Sequence, residues 1–194
     1  MLNATNSVNK IGLFGGSFDP IHNGHIILAK KSLKQLELDY IFFIPIYLPP
    51  HKSRKLSNIS KRLEMLKIAI KGIKKAKISY FEIKRKAKTY TYQIIEHFKK
   101  EYNKTEIYLI IGSDSALDLK KWKKYKKIIN LSKVVFCERE NYYFKEKKGF
   151  IKLIGTIPNI SSTEIRDKIK KNIPIKNLVP INVEKYINKN GLYK

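Results

Sequence analysis

Short apolar runs alternate with helix-like segments along most of the chain. The runs are continuous, which is typical of parallel strands that helices cover on both faces. They predict strands at Lys10–Phe14, Tyr40–Ile44, Ile78–Glu82, Ile107–Ile111, Lys133–Cys137 and Ile151–Ile154. Between them, apolar residues at helical spacing predict helices at His25–Leu38, Lys61–Ile73, Tyr92–Tyr102 and Trp122–Asn130. This alternation predicts an α/β fold with an open, twisted parallel sheet.

The last third of the chain has a different pattern. It predicts two helices, Ser162–Lys171 and Val183–Asn190, with no strand between them. Ser161 and Glu164 match the S-x-x-E capping box that opens a helix. No internal repeat or linker composition divides the chain. We therefore predict one domain over residues 1–194, a Rossmann-like open parallel sheet with helices on both faces and a helical C-terminal part.

Composition excludes membrane-spanning and secreted classes of protein. No segment approaches the roughly 20 uncharged apolar residues of a membrane span, and the polar first ten residues predict no signal peptide. Cys137 is the one cysteine and has no partner for a disulfide within the chain, which fits a reducing compartment. These features predict a cytoplasmic protein that does not contact a membrane.

The net charge of +25 raises the question of an acidic partner such as nucleic acid. However, only five of the 41 basic residues are arginines, and the lysines are spread along the whole chain. AT-rich codons produce this lysine-rich composition in any protein. We therefore expect a solvated surface and no nucleic-acid partner, while the positive field still favours small substrates that carry phosphate.

Candidate chemistry is concentrated in the stretch IGLFGGSFDPIHNGH, Ile11–His25. Gly15 and Gly16 follow the first predicted strand and let the backbone turn tightly beside a ligand. His22 and His25 lie at the start of the first predicted helix, where the helix dipole favours anions. Open α/β sheets bind ligands beyond the carboxyl ends of their strands. The stretch therefore predicts a phosphate site; the alternative is a strand-to-helix turn with incidental histidines.

Other phosphate and metal signatures are absent from the sequence. There is no G-x-x-x-x-G-K-[ST] loop and no G-x-G-x-x-G fingerprint. Neither an H-E-x-x-H motif nor paired cysteines indicate zinc, so we predict no metal ion ligated by the protein itself.

The glycine- and histidine-rich stretch resembles the signature of the nucleotidylyltransferase superfamily, whose H-x-G-H core corresponds to His22–His25. That signature alone implies attack of a phosphate or alcohol on the α-phosphorus of a nucleoside triphosphate, with loss of pyrophosphate. Five later segments narrow the resemblance to bacterial nicotinate-nucleotide adenylyltransferase: PPHK, KTYTYQII, IIGSDSALDLKKW, ISSTEIR and YINKNGLYK. They occur in the order of that family and span almost the whole chain.

The resemblance implies transfer of AMP from ATP to nicotinate mononucleotide, which gives nicotinate adenine dinucleotide and pyrophosphate. His22, His25 and Arg166 would be the catalytic residues, acting on the phosphates and on transition-state charge. The implied ATP site comprises Gly15, Gly16, Ser17, Phe18, His22, Gly24, His25, Gly112, Asp114, Ser162, Thr163 and Arg166. The implied mononucleotide site comprises Lys52, Tyr90, Thr91, Asp114 and Trp122. Mg²⁺ would enter with ATP, held mainly by substrate oxygens and water.

Individual roles follow from the same resemblance. Trp122 would stack on the nicotinate ring, and backbone amides near Tyr90 and Thr91 would meet its carboxylate. Asp114 would lie between the two substrates, or else cap the helix that follows it. Arg62 is either the basic residue that opens the next helix in this family or an ordinary surface charge.

Two features depart from the family pattern. Ser17 replaces the commoner threonine, which keeps the hydroxyl. After Arg139 the chain continues with Glu140 rather than Arg-Pro-Gly, which leaves open a role for Arg139 and for the loop Asn141–Gly149. We expect this loop to vary without contact with the chemistry.

Two other functions remain as alternatives. Pantetheine-phosphate adenylyltransferases and cytidylyltransferases share the H-x-G-H core, but we would not expect them to carry PPHK, the tryptophan after GSDS and NGLYK together. A basic nucleic-acid-binding protein would leave the placement of His22 and His25 unexplained. The sequence leaves open the oligomeric state, including a homo-oligomer, and the degree of preference for nicotinate over nicotinamide mononucleotide.

Overall fold

Strands and helices alternate through the structure, a computed structural model that describes residues 8–48, 56–140 and 149–194. The strands are β1 (Lys10–Gly16), β2 (Tyr40–Pro45), β3 (Ala76–Ile78), β4 (Glu106–Ile110), β5 (Lys133–Arg139) and β6 (Phe150–Ile157). The helices are α1 (Asn23–Gln35), α2 (Ile59–Ile70), α3 (Phe81–Arg85), α4 (Thr91–Glu101), α5 (Ser113–Asp118), α6 (Tyr125–Leu131), α7 (Ser162–Lys170) and α8 (Ile181–Lys189). A short 3₁₀ turn covers Leu119–Lys121. Among the described residues, no helix has the length and apolar content of a membrane span.

The strands form one sheet in the order β3-β2-β1-β4-β5-β6, and every neighbouring pair is parallel. The chain builds outward from β1 in one direction through β3, and then in the other direction from β4. The order therefore reverses between β1 and β4, where such sheets open a crevice for ligands. The predicted Rossmann-like parallel sheet is confirmed.

Both faces of the sheet are buried. Along β4, Tyr108 and Ile110 pack into one apolar cluster while Ile107 and Leu109 pack into the other, because alternate residues of a strand point to opposite faces. Helices α1, α2, α7 and α8 cover the first face, and α4 and α6 cover the second. This two-sided cover is the physical reason for the continuous apolar runs in the sequence.

The predicted strand Ile78–Glu82 is wrong over most of its length. Strand β3 ends at Ile78, and α3 begins three residues later. The Ser79 hydroxyl accepts a hydrogen bond from the Phe81 backbone N–H at 3.3 Å, which favours a helix start. The apolar run of this segment is therefore shared between a short strand and a short helix.

Two helix boundaries also test the sequence predictions. Helix α7 starts where the capping residue predicts, because the Ser161 hydroxyl accepts a hydrogen bond from the Glu164 N–H at 3.1 Å. The predicted helix Trp122–Asn130 instead begins at Tyr125, since Lys124 has a left-handed φ of 55° that interrupts helical geometry. Trp122 consequently lies in extended backbone beside the 3₁₀ turn.

Candidate active site

A cavity of about 770 Å³ opens at the carboxyl edge of the sheet, beside the point where the strand order reverses. Gly15 and Gly16 of β1, Gly112 after β4 and Arg139 of β5 line it. The N-terminal ends of α1, α4 and α7 also border the cavity, so three helix dipoles contribute positive potential there. Its volume lies within the ordinary range for a small-molecule site.

The structure brings most of the predicted site residues together in this one cavity. The predicted residues that line it are Gly15, Gly16, Ser17, His22, Gly24, His25, Tyr90, Thr91, Gly112, Asp114, Trp122, Ser162, Thr163 and Arg166. They come from segments that are far apart in sequence, and the parallel topology places the carboxyl ends of their strands at one edge.

Two predicted residues do not appear in that set. Lys52 lies outside the described residues. Phe18, predicted as an ATP-site residue, is fully buried and is not among the residues that line the cavity, so its role stays a prediction. Its ring packs edge-on against His25 at a centroid distance of 5.2 Å and against Phe43 at 5.6 Å. Phe18 supports a site residue from the core.

The two histidines form a stacked pair at the start of α1. His22 is the N-cap residue and His25 the third helical residue, with ring centroids 3.6 Å apart. The His22 backbone N–H donates to His25 Nδ1 at 3.2 Å. Because Nδ1 accepts that bond, the neutral ring of His25 carries its proton on Nε2.

Both rings are neutral at physiological pH. Burial, reinforced by the positive charge of Arg139, lowers the pKa of His22 to about 3. Burial and the neighbouring His22 and Arg139 lower the pKa of His25 well below its ordinary value. The histidines therefore offer neutral N–H donors, while the positive charge of the cavity comes from arginines and helix termini.

Gly24 leaves room for the close approach of the His22 ring. A Cβ at this position would lie 3.1 Å from His22 Nδ1. That nitrogen is buried and has no hydrogen-bond partner in the part of the chain that the structure describes. A buried polar atom without a partner is unusual in a folded protein and here lies beside a ligand cavity. The H-x-G-H spacing thus reflects the packing of the histidine pair.

Arg166 is fixed between α7 and residues 15–22, the segment at the end of β1 that we call the glycine-rich loop. Its Nη1 donates to the backbone carbonyl of Asp19 at 2.7 Å, and its Nη2 donates to Thr163 Oγ1 at 2.9 Å. The Ser162 hydroxyl donates to the Pro20 carbonyl at 2.9 Å. These bonds hold the start of α7 against the glycine-rich loop, so that Arg166 and the two histidines border one space.

Asp114 and Arg139 form an ion pair across the cavity, with Arg139 Nη2 at 3.2 Å from Asp114 Oδ2. Asp114 lies in the first turn of α5, whose N-cap residue is Gly112, so the helix-cap alternative for Asp114 is wrong. Arg139, whose role the sequence left open, lies inside the site. The available signal was its position at the carboxyl end of a strand in a parallel sheet.

Aromatic residues form another part of the cavity lining, which we call the aromatic end. Trp122 is half-buried and borders the cavity together with Tyr90 and Thr91. Tyr90 is the N-cap residue of α4, and its N–H donates to Gln93 Oε1 at 2.9 Å. Amides in the first turn of a helix have no partner within the helix. This end can therefore receive a flat ring on Trp122 and an anionic group at the start of α4.

Comparison with known proteins identifies the family. Residues 13–168 match the family model described as Cytidylyltransferase-like. The probable nicotinate-nucleotide adenylyltransferase of Clostridium tetani is 40% identical over 200 residues, which cover 96% of this chain and 100% of that protein. The nicotinate-nucleotide adenylyltransferase of Bacillus subtilis is 36% identical over 190 residues, with 96% and 100% covered. The chain belongs to the nicotinate-nucleotide adenylyltransferase family.

A solved structure has the same architecture as this family member. The Plasmodium falciparum nicotinic acid mononucleotide adenylyltransferase complexed with NaAD superimposes with a TM-score of 0.81 at 25% sequence identity. The match covers 95% of this chain and 97% of that one. The family resemblance given by the sequence motifs is confirmed.

In this adenylyltransferase-family chain, the C-terminal motif NGLYK braces the glycine-rich loop. The Tyr193 hydroxyl donates to Asp19 Oδ1 at 2.8 Å, and the Ser57 N–H donates to Asp19 Oδ2 at 3.2 Å. Asp19 is fully buried. Burial and the adjacent carboxylate raise the pKa of Tyr193, so its hydroxyl remains a donor. Sequence reasoning missed both residues, although each lies in a motif that carried the resemblance.

Arg62 is a buried structural residue, and the surface-charge alternative is wrong. It is 1% exposed. Its Nη1 donates to the carbonyls of Ser17 and Ile46 at 2.8 and 2.9 Å, and its Nε donates to the carbonyl of Ser57 at 3.0 Å. One guanidinium therefore joins the glycine-rich loop to the segment after β2 and to the start of α2.

Glu82 is a buried carboxyl group that sequence reasoning missed. It lines the cavity, is 2% exposed, and accepts a hydrogen bond from the Tyr47 N–H at 3.1 Å. Burial raises the pKa of Glu82 to about 7, although the Tyr47 bond and the charges of Arg62 and Arg85 act in the opposite direction. The sequence analysis predicted a strand through Glu82 and therefore did not predict that this side chain lines the cavity.

The Glu82→Gln substitution should change how the free energy of unfolding depends on pH. The folded pKa of about 7 exceeds the ordinary value of 4.5, so the contribution of Glu82 to stability is complete below 4.5 and lost as pH rises through 7. Relative to the variant, the wild type should lose about 3 kcal/mol across this interval. Urea unfolding of both proteins at about pH 4.5 and about pH 8 measures the difference. Parallel pH profiles would contradict the assignment.

Proposed function

We propose that the protein transfers AMP from ATP to nicotinate mononucleotide, with pyrophosphate as the second product, a step in NAD biosynthesis. The observation that carries this proposal is one cavity lined by two chemically distinct groups of residues. His22, His25 and Arg166 form the group called here the phosphate end, while Trp122 and the start of α4 form the aromatic end. The names of the relatives in the same family support this substrate pair.

The proposed reaction is an in-line displacement at the α-phosphorus. A phosphate oxygen of the mononucleotide forms the new bond to the α-phosphorus of ATP. The bond from that phosphorus to the oxygen that bridges the α- and β-phosphates breaks, and pyrophosphate leaves with the bonding electrons. Enzymes accelerate such transfers mainly by positioning the reactants and by stabilising charge on the phosphoryl oxygens.

The residues at the phosphate end suit these two tasks. His25 presents a neutral Nε2–H donor, and α1 and α7 present their N-terminal ends to the same space. Arg166 adds a full positive charge at a fixed position, because two hydrogen bonds to the protein hold its guanidinium. We assign His22 and His25 to charge that develops during transfer and Arg166 to the triphosphate.

The aromatic end suits a pyridine ring that carries a carboxylate. Trp122 offers a flat surface for the ring, and the amides at Thr91 and Tyr92 open the α4 helix next to it. Both oxygens of a carboxylate accept hydrogen bonds. A carboxamide would instead direct one N–H group toward these donors and leave a polar mismatch.

We infer that Mg²⁺ enters with the triphosphate. In the described part of the chain, no group of three or more His, Cys, Asp or Glu side chains could hold a metal ion. Of the two carboxyl groups that line the cavity, Asp114 is paired with Arg139, and the pKa of Glu82 is raised to about 7. A magnesium ion would then keep mainly phosphate and water oxygens as ligands, which is its usual preference.

The test is an assay of pyrophosphate release with ATP, Mg²⁺ and either nicotinate or nicotinamide mononucleotide, with the dinucleotide product identified by mass. We expect kcat/KM to favour the acid by at least about 10-fold, since a mismatched polar group in a closed site costs on the order of 1–3 kcal/mol. CTP in place of ATP, and phosphopantetheine in place of the mononucleotide, test the related transferases. Equal use of the two mononucleotides would overturn the substrate assignment alone.

A further inference from the structure

An ammonium group lies at the aromatic end of the cavity. Lys123 lines the cavity directly after Trp122, and its Nζ lies 4.4 Å from the centroid of the Tyr90 ring. Among the nearby lysines, Lys121 pairs with Asp118 and Lys127 with Glu96. Lys123 forms no ion pair among the residues that the structure describes. A cation–π contact with a residue of the site holds its charge at the rim.

We propose that the Lys123 side chain is a specificity-determining group that selects an acceptor nucleotide whose aromatic ring carries a carboxylate. The inference rests on the proposed function and deepens it. Trp122 directly precedes Lys123, and both line the cavity, so a ring stacked on Trp122 would lie near the Lys123 side chain. The contact with Tyr90, the N-cap residue of α4, places the ammonium next to the first turn of that helix. The carboxylate would lie where the ammonium and the helix amides converge.

The surroundings strengthen this attraction. Among the described residues, two acidic side chains line the cavity, Asp114 and Glu82. The first is neutralised by Arg139 at 3.2 Å, and burial raises the pKa of the second to about 7, which reduces its negative charge. Lys88 adds a further positive charge, with its Nζ 5.6 Å from the Tyr90 ring centroid. The potential at this end is therefore positive and favours an anionic ring substituent over a neutral one.

Lys123 acts differently from a general attraction for phosphate. The phosphate of the mononucleotide is common to the acid and to the amide, so a non-specific surface charge would help both substrates equally. A charge placed at the ring substituent changes only the affinity for the acid. The ratio of kcat/KM between the two mononucleotides therefore reports this role, and general electrostatic steering leaves the ratio unchanged.

The experiment compares Lys123→Met with wild type in the pyrophosphate assay. Methionine keeps an unbranched apolar side chain and removes the charge. We expect the preference for nicotinate over nicotinamide mononucleotide to fall about 10-fold through loss of activity with the acid, the effect of one charge-assisted bond. The KM for ATP and kcat/KM for the amide should stay at wild-type values. Lys123→Arg should retain most of the preference.

Lys124→Met is the matched control. Its Nζ lies 4.8 Å from the Tyr92 ring, so it has a similar aromatic contact, but it does not line the cavity. This variant should keep the wild-type preference. A Lys123→Met protein with the wild-type ratio, or with equal losses for both mononucleotides, would overturn the inference while leaving the proposed function intact. A wild-type protein that uses neither mononucleotide would overturn both.

Discussion

His25→Ala is expected to lower kcat by roughly 10²–10³-fold with little change in the KM for ATP, and His22→Ala should behave similarly. Each ring is preorganised: the pair is stacked at 3.6 Å, and the His22 backbone fixes the tautomer of His25. A donor aimed at charge that appears during the reaction contributes more to the transition state than to substrate binding. Steady-state kinetics with both substrates varied measures the effect.

The two histidines should also act as a unit. Because the two rings stack on each other and the His22 backbone N–H donates to the His25 ring, the double variant should lose much less than the product of the two single effects. His97→Ala is the matched control, since its ring stacks on Phe81 and its Nε2 lies 3.2 Å from Glu101 without lining the cavity. Near-normal kcat in both single variants, with thermal unfolding unchanged, would contradict their catalytic assignment.

The sheet could be predicted because its strands have a strong and simple signal. Burial on both faces demands continuous apolar runs, as in Tyr40–Ile44, and these runs fall close to the observed strands. The segment after Ile78 failed because a run of apolar residues this short has no clear period. The Ser79 hydroxyl makes one contact that favours a helix there. In the sequence, such a local contact is a weaker signal than the hydrophobic pattern on either side of it.

The site residues that lie together in one short segment could be predicted from the sequence. The H-x-G-H spacing records local packing: His22, Gly24 and His25 meet within one helical turn. Not every residue of a motif faces a ligand, however. Phe18 lies within the same stretch and yet its ring is fully buried, packed against His25 and Phe43.

Long-range contacts explain what the sequence could not show. The Tyr193 hydroxyl donates to Asp19, which lies 174 positions earlier in the chain, and the sequence around either residue does not indicate this hydrogen bond. Arg139 becomes part of the site only because β5 ends beside β4, where its guanidinium meets Asp114. The role of Lys52 stays a prediction. Residues whose roles depend on topology thus require the fold before their chemistry can be assigned.

Arg166→Ala is expected to raise the KM for ATP by about 10–100-fold with a smaller change in kcat. In the proposed function its charge faces phosphates that are already present in the ground state, so its loss should weaken binding before the reaction begins. The hydrogen bonds to the Asp19 carbonyl and Thr163 show that the protein fixes the guanidinium beside the glycine-rich loop. Arg166→Lys should recover only part of the affinity, because one ammonium cannot reproduce a planar fork of donors.

Lys168→Ala provides the control for this prediction on the same helix. Lys168 carries the same charge and does not line the cavity, and its Nζ lies 3.8 Å from Glu164 Oε1. Loss of Arg166 also leaves the Asp19 carbonyl without that donor, so thermal unfolding of each variant must accompany the kinetics. Saturating ATP should restore most of the activity of Arg166→Ala if its role is triphosphate binding. An unchanged KM for ATP in a folded Arg166→Ala protein would contradict that role and place the triphosphate elsewhere in the cavity.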